Sequence, residues 1–456
     1  MPFALQRFYD TDKCYLFNSE TYDRCNLHRS WIDIVSEIPN NITKLTIKVI
    51  DKHPIAKLPS SITHLKIKCD PCTVSCVIHE LPSNLIYLST DSFYADSLPT
   101  LPQTLQYLTI GSCLYKHPLP QLPHSLTRLH LNYYCKHTVD LPPNITHFSA
   151  PHFSDFAFYP KINKLEKLVK LGISADNYND INSCGDNNLK IPSSVTHLHF
   201  TAEYKNAKNP VILHEGIICV KFDDDYNQPT NFPNSIRKLN FGSRYNQPTI
   251  LPPHAKNVTF GLLYNHPTIL PEGIEHVEFL TMDFDHVINL PQSIQTIDFG
   301  YNYKSSILLP SKVLNVACNY QQALILPDTV RKVIFRGKYN QSLILPPHVE
   351  HVEFEGTFDN IVDLPSSVKY LSICQSFNPK NILPPHLEYI YGCNENSWNA
   401  DGRLLEPFVE QLLNNYNLVG TNIVYSVELH PLLLKHMYTN NHNKYFKNIS
   451  LVNIVV

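Results

Sequence analysis

The chain has 456 residues, of which 43% are apolar and 17% charged, and a formal net charge of −3. That composition marks a folded protein too long for one hydrophobic core, without the field that draws a protein to nucleic acid or an anionic membrane. Glycine is scarce (13) and proline abundant (35), and neither G-x-G-x-x-G nor G-x-x-x-x-G-K-[ST] occurs, which weighs against the common nucleotide-binding folds.

The first 37 residues begin "MPFALQRFYDTD". A basic flank followed by an apolar run is missing, so no secretory signal is expected. No stretch approaches about 18 consecutive apolar residues, so no membrane span is expected either. Phe3, Leu5, Phe8, Tyr15, Leu16, Phe17 and Trp31 make this segment apolar enough to cap an open end. The 12 cysteines are irregularly spaced, and in a cytoplasmic chain free thiols are expected.

From residue 38 one phrase returns. "IPNNITKLTI", "LPSSITHLKI", "LPQTLQYLTI", "FPNSIRKLNF", "LPEGIEHVEF" and "LPSSVKYLSI" are six of sixteen copies, and two more keep the frame without the proline, giving eighteen. Spacing is 19–27 residues before Pro233 and 17–20 after it. Counting from the proline as zero, +3, +6 and +8 are apolar, and the +6/+8 alternation predicts a short strand with one buried face. Proline fixes φ and donates nothing to a ladder, so it stands just before the strand. Ser or Asn at +2 suits the turn. Further on an aromatic and an asparagine recur, as in Tyr226-Asn227, Tyr245-Asn246 and Tyr264-Asn265. The ring can fill the coil and the amide can bond the backbone of the next coil. One strand per repeat predicts a mainly β fold: a leucine-rich-repeat-like parallel solenoid of about 18 short repeats, with a period of about 19–23 residues and a small mixed cap at the N-terminus.

"FPNSIRKLNFGSRYNQPTILP" resembles the FNIP repeats, leucine-rich-repeat relatives abundant in social amoebae and in giant viruses that infect amoebae. The resemblance covers residues 38–392 and is sharpest from Phe232 to Pro271. It implies a right-handed solenoid that binds protein, in the host cytoplasm if the chain is viral. Some members carry an N-terminal F-box that recruits a ubiquitin-ligase adaptor. Residues 1–37 hold no L-P-x-E opening and no helical apolar stripe, so an F-box is eroded or absent here.

Within the array, "CDPCTVSCVIHE" places Cys69, Cys72, Cys76 and His79 close together. Thiolates and imidazole suit tetrahedral zinc. The spacing matches no standard zinc knuckle, and the competing reading is an insertion whose thiols fill the coil. No metal or cofactor is expected.

Positions +5 and +7 alternate with the buried ones and point to the exposed sheet face. His64, His147, His197, His276 and His351 stand at +5, and His130 and His199 at +7. In the first nine repeats these columns carry Lys44, Lys66, Arg128, Lys170 and Lys221 and no acid. In the last nine, Glu278, Asp298 and Glu353 stand against Lys238 and Lys332. Tyr87, Tyr107, Tyr370, Tyr389 and Tyr391 add aromatic anchors. A basic protein-binding face centred on Lys44, Lys66, Tyr87, Tyr107, Arg128, Lys170 and Lys221 is the functional reading. Solvated polar residues without a partner are the alternative. Glu278 and Asp298 share one column on adjacent coils, which is the only pair of carboxylates placed for glycoside chemistry.

The frame ends at Pro384. "RLLEPFVEQLLNNYN" sets Leu404, Leu405, Phe408, Val409, Leu412 and Leu413 at helical spacing, and residues 393–456 are expected to form a helical cap. The expected whole is a monomeric, non-enzymatic scaffold for an unidentified protein partner, with no nucleic acid or membrane involved. The alternatives are a substrate-recognition subunit of a cullin-type ubiquitin ligase and a carbohydrate-acting solenoid enzyme.

Overall fold

The computed structural model describes most of residues 42–393, with breaks at 50–56, 70–77, 91–96, 133–139, 151–158, 174–190 and 201–210 and shorter ones beyond, together with 9–10, 13–14, 24–28 and 422–423. Most of the segments expected to cap the array therefore lie outside the described residues. So do Cys72 and Cys76, while His79 is exposed.

Two compact units emerge, Met1–Ile236 and Arg237–Val456. In the N-terminal unit the strands are Arg24–His28, Lys44–Val49, His64–Cys69, Tyr87–Thr90, Tyr107–Ile110, Arg128–Leu131, His147–Ala150, Lys170–Ile173, His197–Phe200 and Cys219–Lys221, each parallel to the next. In the C-terminal unit they are Lys238–Asn240, Asn257–Phe260, His276–Phe279, Thr296–Asp298, Asn315–Cys318, Lys332–Phe335, His351–Phe354, Tyr370–Cys374, Tyr389–Cys393 and Asn422–Ile423, again parallel. A two-residue antiparallel pair (Tyr9–Asp10 with Lys13–Cys14) and one four-residue helix (Tyr159–Ile162) complete the described elements. Arg24–His28 and Asn422–Ile423 extend the ladders beyond the repeats that the proline frame reveals.

The register is the one the frame requires. Each +5 residue faces the +5 residue of the next coil, as Tyr87↔Tyr107 and His276↔Thr296 show. The apolar positions are buried throughout: at +3 Leu105 and Ile274, at +6 Leu108 and Val277, at +8 Ile110 and Phe279. A turn opens each strand, with the +3 N–H donating to the proline carbonyl (Ile274 to Pro271, 3.0 Å). One carbonyl then serves two donors: Thr43 O accepts from Thr63 N at 2.8 Å and from His64 N at 3.0 Å.

The hydroxyls at +2 do more than suit a turn. Ser125 Oγ donates to Leu105 O at 2.7 Å, Ser293 Oγ to Ile274 O at 2.6 Å and Ser367 Oγ to Val349 O at 2.6 Å. Each hydroxyl thus ties its coil to the preceding one, for about 1 kcal/mol of net stability per bond. The recurrent tyrosines fill the coil interior: Tyr245 and Tyr264 are fully buried, and their hydroxyls meet Thr249 and Thr268 at 2.8 and 2.7 Å. Asn246 Oδ1 accepts from Asn265 N at 3.0 Å, the coil-to-coil bond that the sequence predicts for this asparagine. Where coils touch backbone to backbone only glycine fits, since a Cβ on Gly261 would lie 1.8 Å from Gly242 O.

Candidate partner-binding face

In the N-terminal unit the +5 and +7 side chains of seven successive strands, from Tyr87–Thr90 to Cys219–Lys221, line a concavity of about 530 Å³. Its wall at +5 begins as a stack. His64 lies on Tyr87 at 5.8 Å between ring centres, Tyr87 meets Tyr107 at 6.2 Å, and the Arg128 guanidinium sits 4.9 Å from the centre of the Tyr107 ring. In-register pairing then sets His147, Lys170 and His197 in the same column.

The smallest residues stand in the middle of the +7 column, where Ser149 and Gly172 are neighbours. A Cβ on Gly172 would lie 2.6 Å from Ser149 Oγ, so the serine side chain occupies the space that the glycine leaves. His130 and His199 rise at +7 on one side and the other, and Lys221 closes the far end. Among the described residues no carboxylate lines it.

Threonine at +4 orients the histidines. Thr146 Oγ1 lies 3.1 Å from Thr127 O and hydrogen-bonds His147 Nδ1 at 2.8 Å, which fixes the plane of the ring. Thr63 treats His64 in the same way, with Thr43 O at 3.1 Å and His64 Nδ1 at 2.9 Å. Burial, followed by the charges of Arg128 and Lys170, holds His147 below its ordinary pKa. Burial and then Lys170 do so for His197, and burial alone for His130. These rings are neutral near pH 7 and become charged more readily when an anion approaches.

The residues expected on the binding face separate into two sets. Tyr87, Tyr107, Arg128, Lys170 and Lys221 come together around the concavity. Lys44 and Lys66 stand on the preceding strands of the same face, Lys44 opposite His64 and Lys66 opposite Ser89. The threonines that hold the histidine rings escape the sequence reading, although the recurring Thr-His pair (Thr63-His64, Thr146-His147, Thr196-His197) carries that signal.

The same face of the C-terminal unit carries acids, two of them paired with cations. Glu353 accepts from Lys332 Nζ at 2.7 Å and from His351 Nε2 at 2.6 Å, which holds its carboxyl at about 2. Glu278 and Asp298 are in register, as expected from the sequence. Glu278, however, accepts from Thr259 Oγ1 at 3.0 Å, and Asp298 is nearly buried and bonded to Gly300 N at 2.9 Å and Arg336 Nη1 at 2.5 Å. Burial raises the Asp298 pKa against the pull of those two donors. Arg336 also reaches Glu355, at 3.2 Å. Both carboxylates of the glycosidase-like pair are thus occupied with structural partners. Among the described residues no three His, Cys, Asp or Glu side chains are grouped to hold a metal, and no helix is long and apolar enough to cross a membrane.

The FNIP Repeat model matches residues 226–262, the stretch with two Tyr-Asn pairs. Among solved structures the chain is similar to CroV588, a giant-virus protein described as a novel circular leucine-rich-repeat structure, at 25% identity and a TM-score of 0.52 over 80% of this chain and 61% of that one. The chain thus spans less than two thirds of that protein's length. It is also similar to YopM from Yersinia enterocolitica, at 19% identity and a TM-score of 0.41 over 82% and 84% of the two chains. No curated protein matches it in sequence. The repeat fold is leucine-rich-repeat-like, a class whose members typically act as protein-interaction scaffolds.

Proposed function

We propose that the chain is a non-enzymatic recognition scaffold that binds an acidic protein segment in the concavity of its N-terminal unit. One observation carries this reading: a recessed face lined by Arg128, Lys170, Lys221 and four histidines, with tyrosine anchors at one end and no carboxylate among its described lining residues. Cations gathered on a low-dielectric sheet attract acidic partners at long range and select against basic ones. Tyr87 and Tyr107 supply rigid apolar area of the kind that anchors interfaces.

The test uses the full chain and a fluorescent polyglutamate peptide as probe. Anisotropy should report binding that weakens steeply with added salt. Reversing Arg128, Lys170 and Lys221 to Glu should weaken it by more than about tenfold, whereas Lys238→Glu in the other unit should leave it unchanged. Equal binding of polylysine, or indifference to the triple reversal, would overturn the reading.

A further inference from the structure

The position two residues before each proline carries a second surface, independent of the basic face. In the C-terminal unit Ile250, Ile269, Leu308, Ile325, Ile344 and Ile382 stand there, between 80% and 91% exposed. Their strands are consecutive rungs of one parallel ladder, so these side chains recur along one edge at steps of about 4.8 Å. Two coils break the aliphatic column, with exposed Asn289 and Asp363. In both coils an extra exposed aliphatic, Val287 or Ile361, stands two residues earlier. A contiguous exposed aliphatic edge is costly in a protein that meets no partner through it.

The order of the column says what that partner is. From Ile269 it reads Ile, Asn289, Leu308, Ile325, Ile344, Asp363, Ile382, which is the same in polarity from either end. The centre is Ile325. Self-complementarity about a centre is the condition for an isologous contact, in which residue i meets j and j meets i.

We propose that a second copy of this chain covers the edge, the two columns lying antiparallel about a twofold axis at Ile325. Ile269 then meets Ile382, Leu308 meets Ile344, and the Asn289 amide donates to the Asp363 carboxylate of the other copy. Among antiparallel registers that overlap by six or more coils, this one alone sets apolar on apolar and polar on polar throughout. A parallel arrangement would set Asp363 against Asp363. Seven aliphatics at roughly 100 Å² each bury about 700 Å² per copy, or about 1,400 Å² in total, within the range of specific interfaces. This departs from the monomer expected from the sequence.

Sedimentation equilibrium of the full chain tests it, with substitutions confined to exposed positions so that the fold is kept. The wild type should have the mass of two chains, and Leu308→Lys with Ile344→Lys the mass of one, with unchanged circular dichroism. A thiol at the axis should meet its own copy: Ile325→Cys should form a covalent dimer on mild oxidation, beyond any seen in the wild type, and Ile250→Cys, outside the paired register, should not. A monomeric wild type, a dimer that survives the double lysine variant, or equal cross-linking at both positions would overturn the proposal.

Discussion

The two units share one frame and use it differently. At +8 the early coils of the N-terminal unit bury Ile110, Leu131 and Ala150, its last coils Phe200 and Phe222, and the C-terminal unit mostly phenylalanine, as at Phe260, Phe279 and Phe354. Successive phenylalanines stack there, Phe241 on Phe260 at 5.5 Å and Phe260 on Phe279 at 4.9 Å. On the outer face the first unit gathers cations with no carboxylate among the described lining residues, whereas the second pairs Glu353 with Lys332 and Asp298 with Arg336. At the edge the first unit has Lys57 paired with Glu80 at 3.2 Å and Asp140 paired with Lys161 at 2.8 Å, where the second has bare isoleucines. A coil needs only its inward positions to stack, so the outward ones are free to diverge. Here they diverge toward charge in one half and toward apolar contact in the other.

The largest expected effect breaks the contrast in the core. Phe260→Ala removes a ring with stacked neighbours on both sides and should cost about 3–5 kcal/mol, against about 1 kcal/mol for Ile110→Val at the same position of the first unit. Urea unfolding of the two variants measures the difference, and equal midpoints would show that the aromatic stack adds nothing. A smaller effect separates the units by pH. Histidines held below their ordinary pKa are protonated preferentially in the unfolded chain, so their contribution is complete above about pH 6.5 and declines as pH falls below it. Glu353, held at about 2 against an ordinary 4.5, keeps its contribution until pH falls below 4.5 and loses it toward 2, up to about 3 kcal/mol. Thermal melts of His147→Gln should therefore diverge from wild type progressively as pH falls from 6.5 to 5, whereas those of Glu353→Gln should lie below wild type above pH 4.5 and converge with it toward pH 2. The smallest effect lies in the hydroxyl ties, where Ser293→Ala should lower stability by about 1 kcal/mol, read from the same urea transitions.

Much of the fold is legible because the repeat states it eighteen times. Each copy of +3, +6 and +8 carries the same periodic signal, and the strands fall where the proline places them. The basic column was legible too, since outward residues alternate with buried ones. What was not legible depends on coil-to-coil geometry. Arg336 meets Asp298 across 38 residues from a position outside the +5/+7 columns, so no spacing announces the pair. Strand Arg24–His28 has no proline before it to place it in the frame. Ile325 and its fellows each precede a leucine, buried in most coils, and read as one more core residue. Only the path of the backbone into the turn shows that they face outward.

The doubly used carbonyl has an evolutionary consequence. Each coil offers its successor the same acceptor that it takes from its predecessor, as Thr43 serves Thr63 and His64, and Lys256 serves Glu275 and His276. A duplication or deletion of one whole repeat in the gene therefore leaves every junction chemically identical, while a shift of one codon within a strand exchanges its two faces. Lineages of such a chain should differ by whole repeats, and the palindrome about Ile325 would be the part least free to change in length.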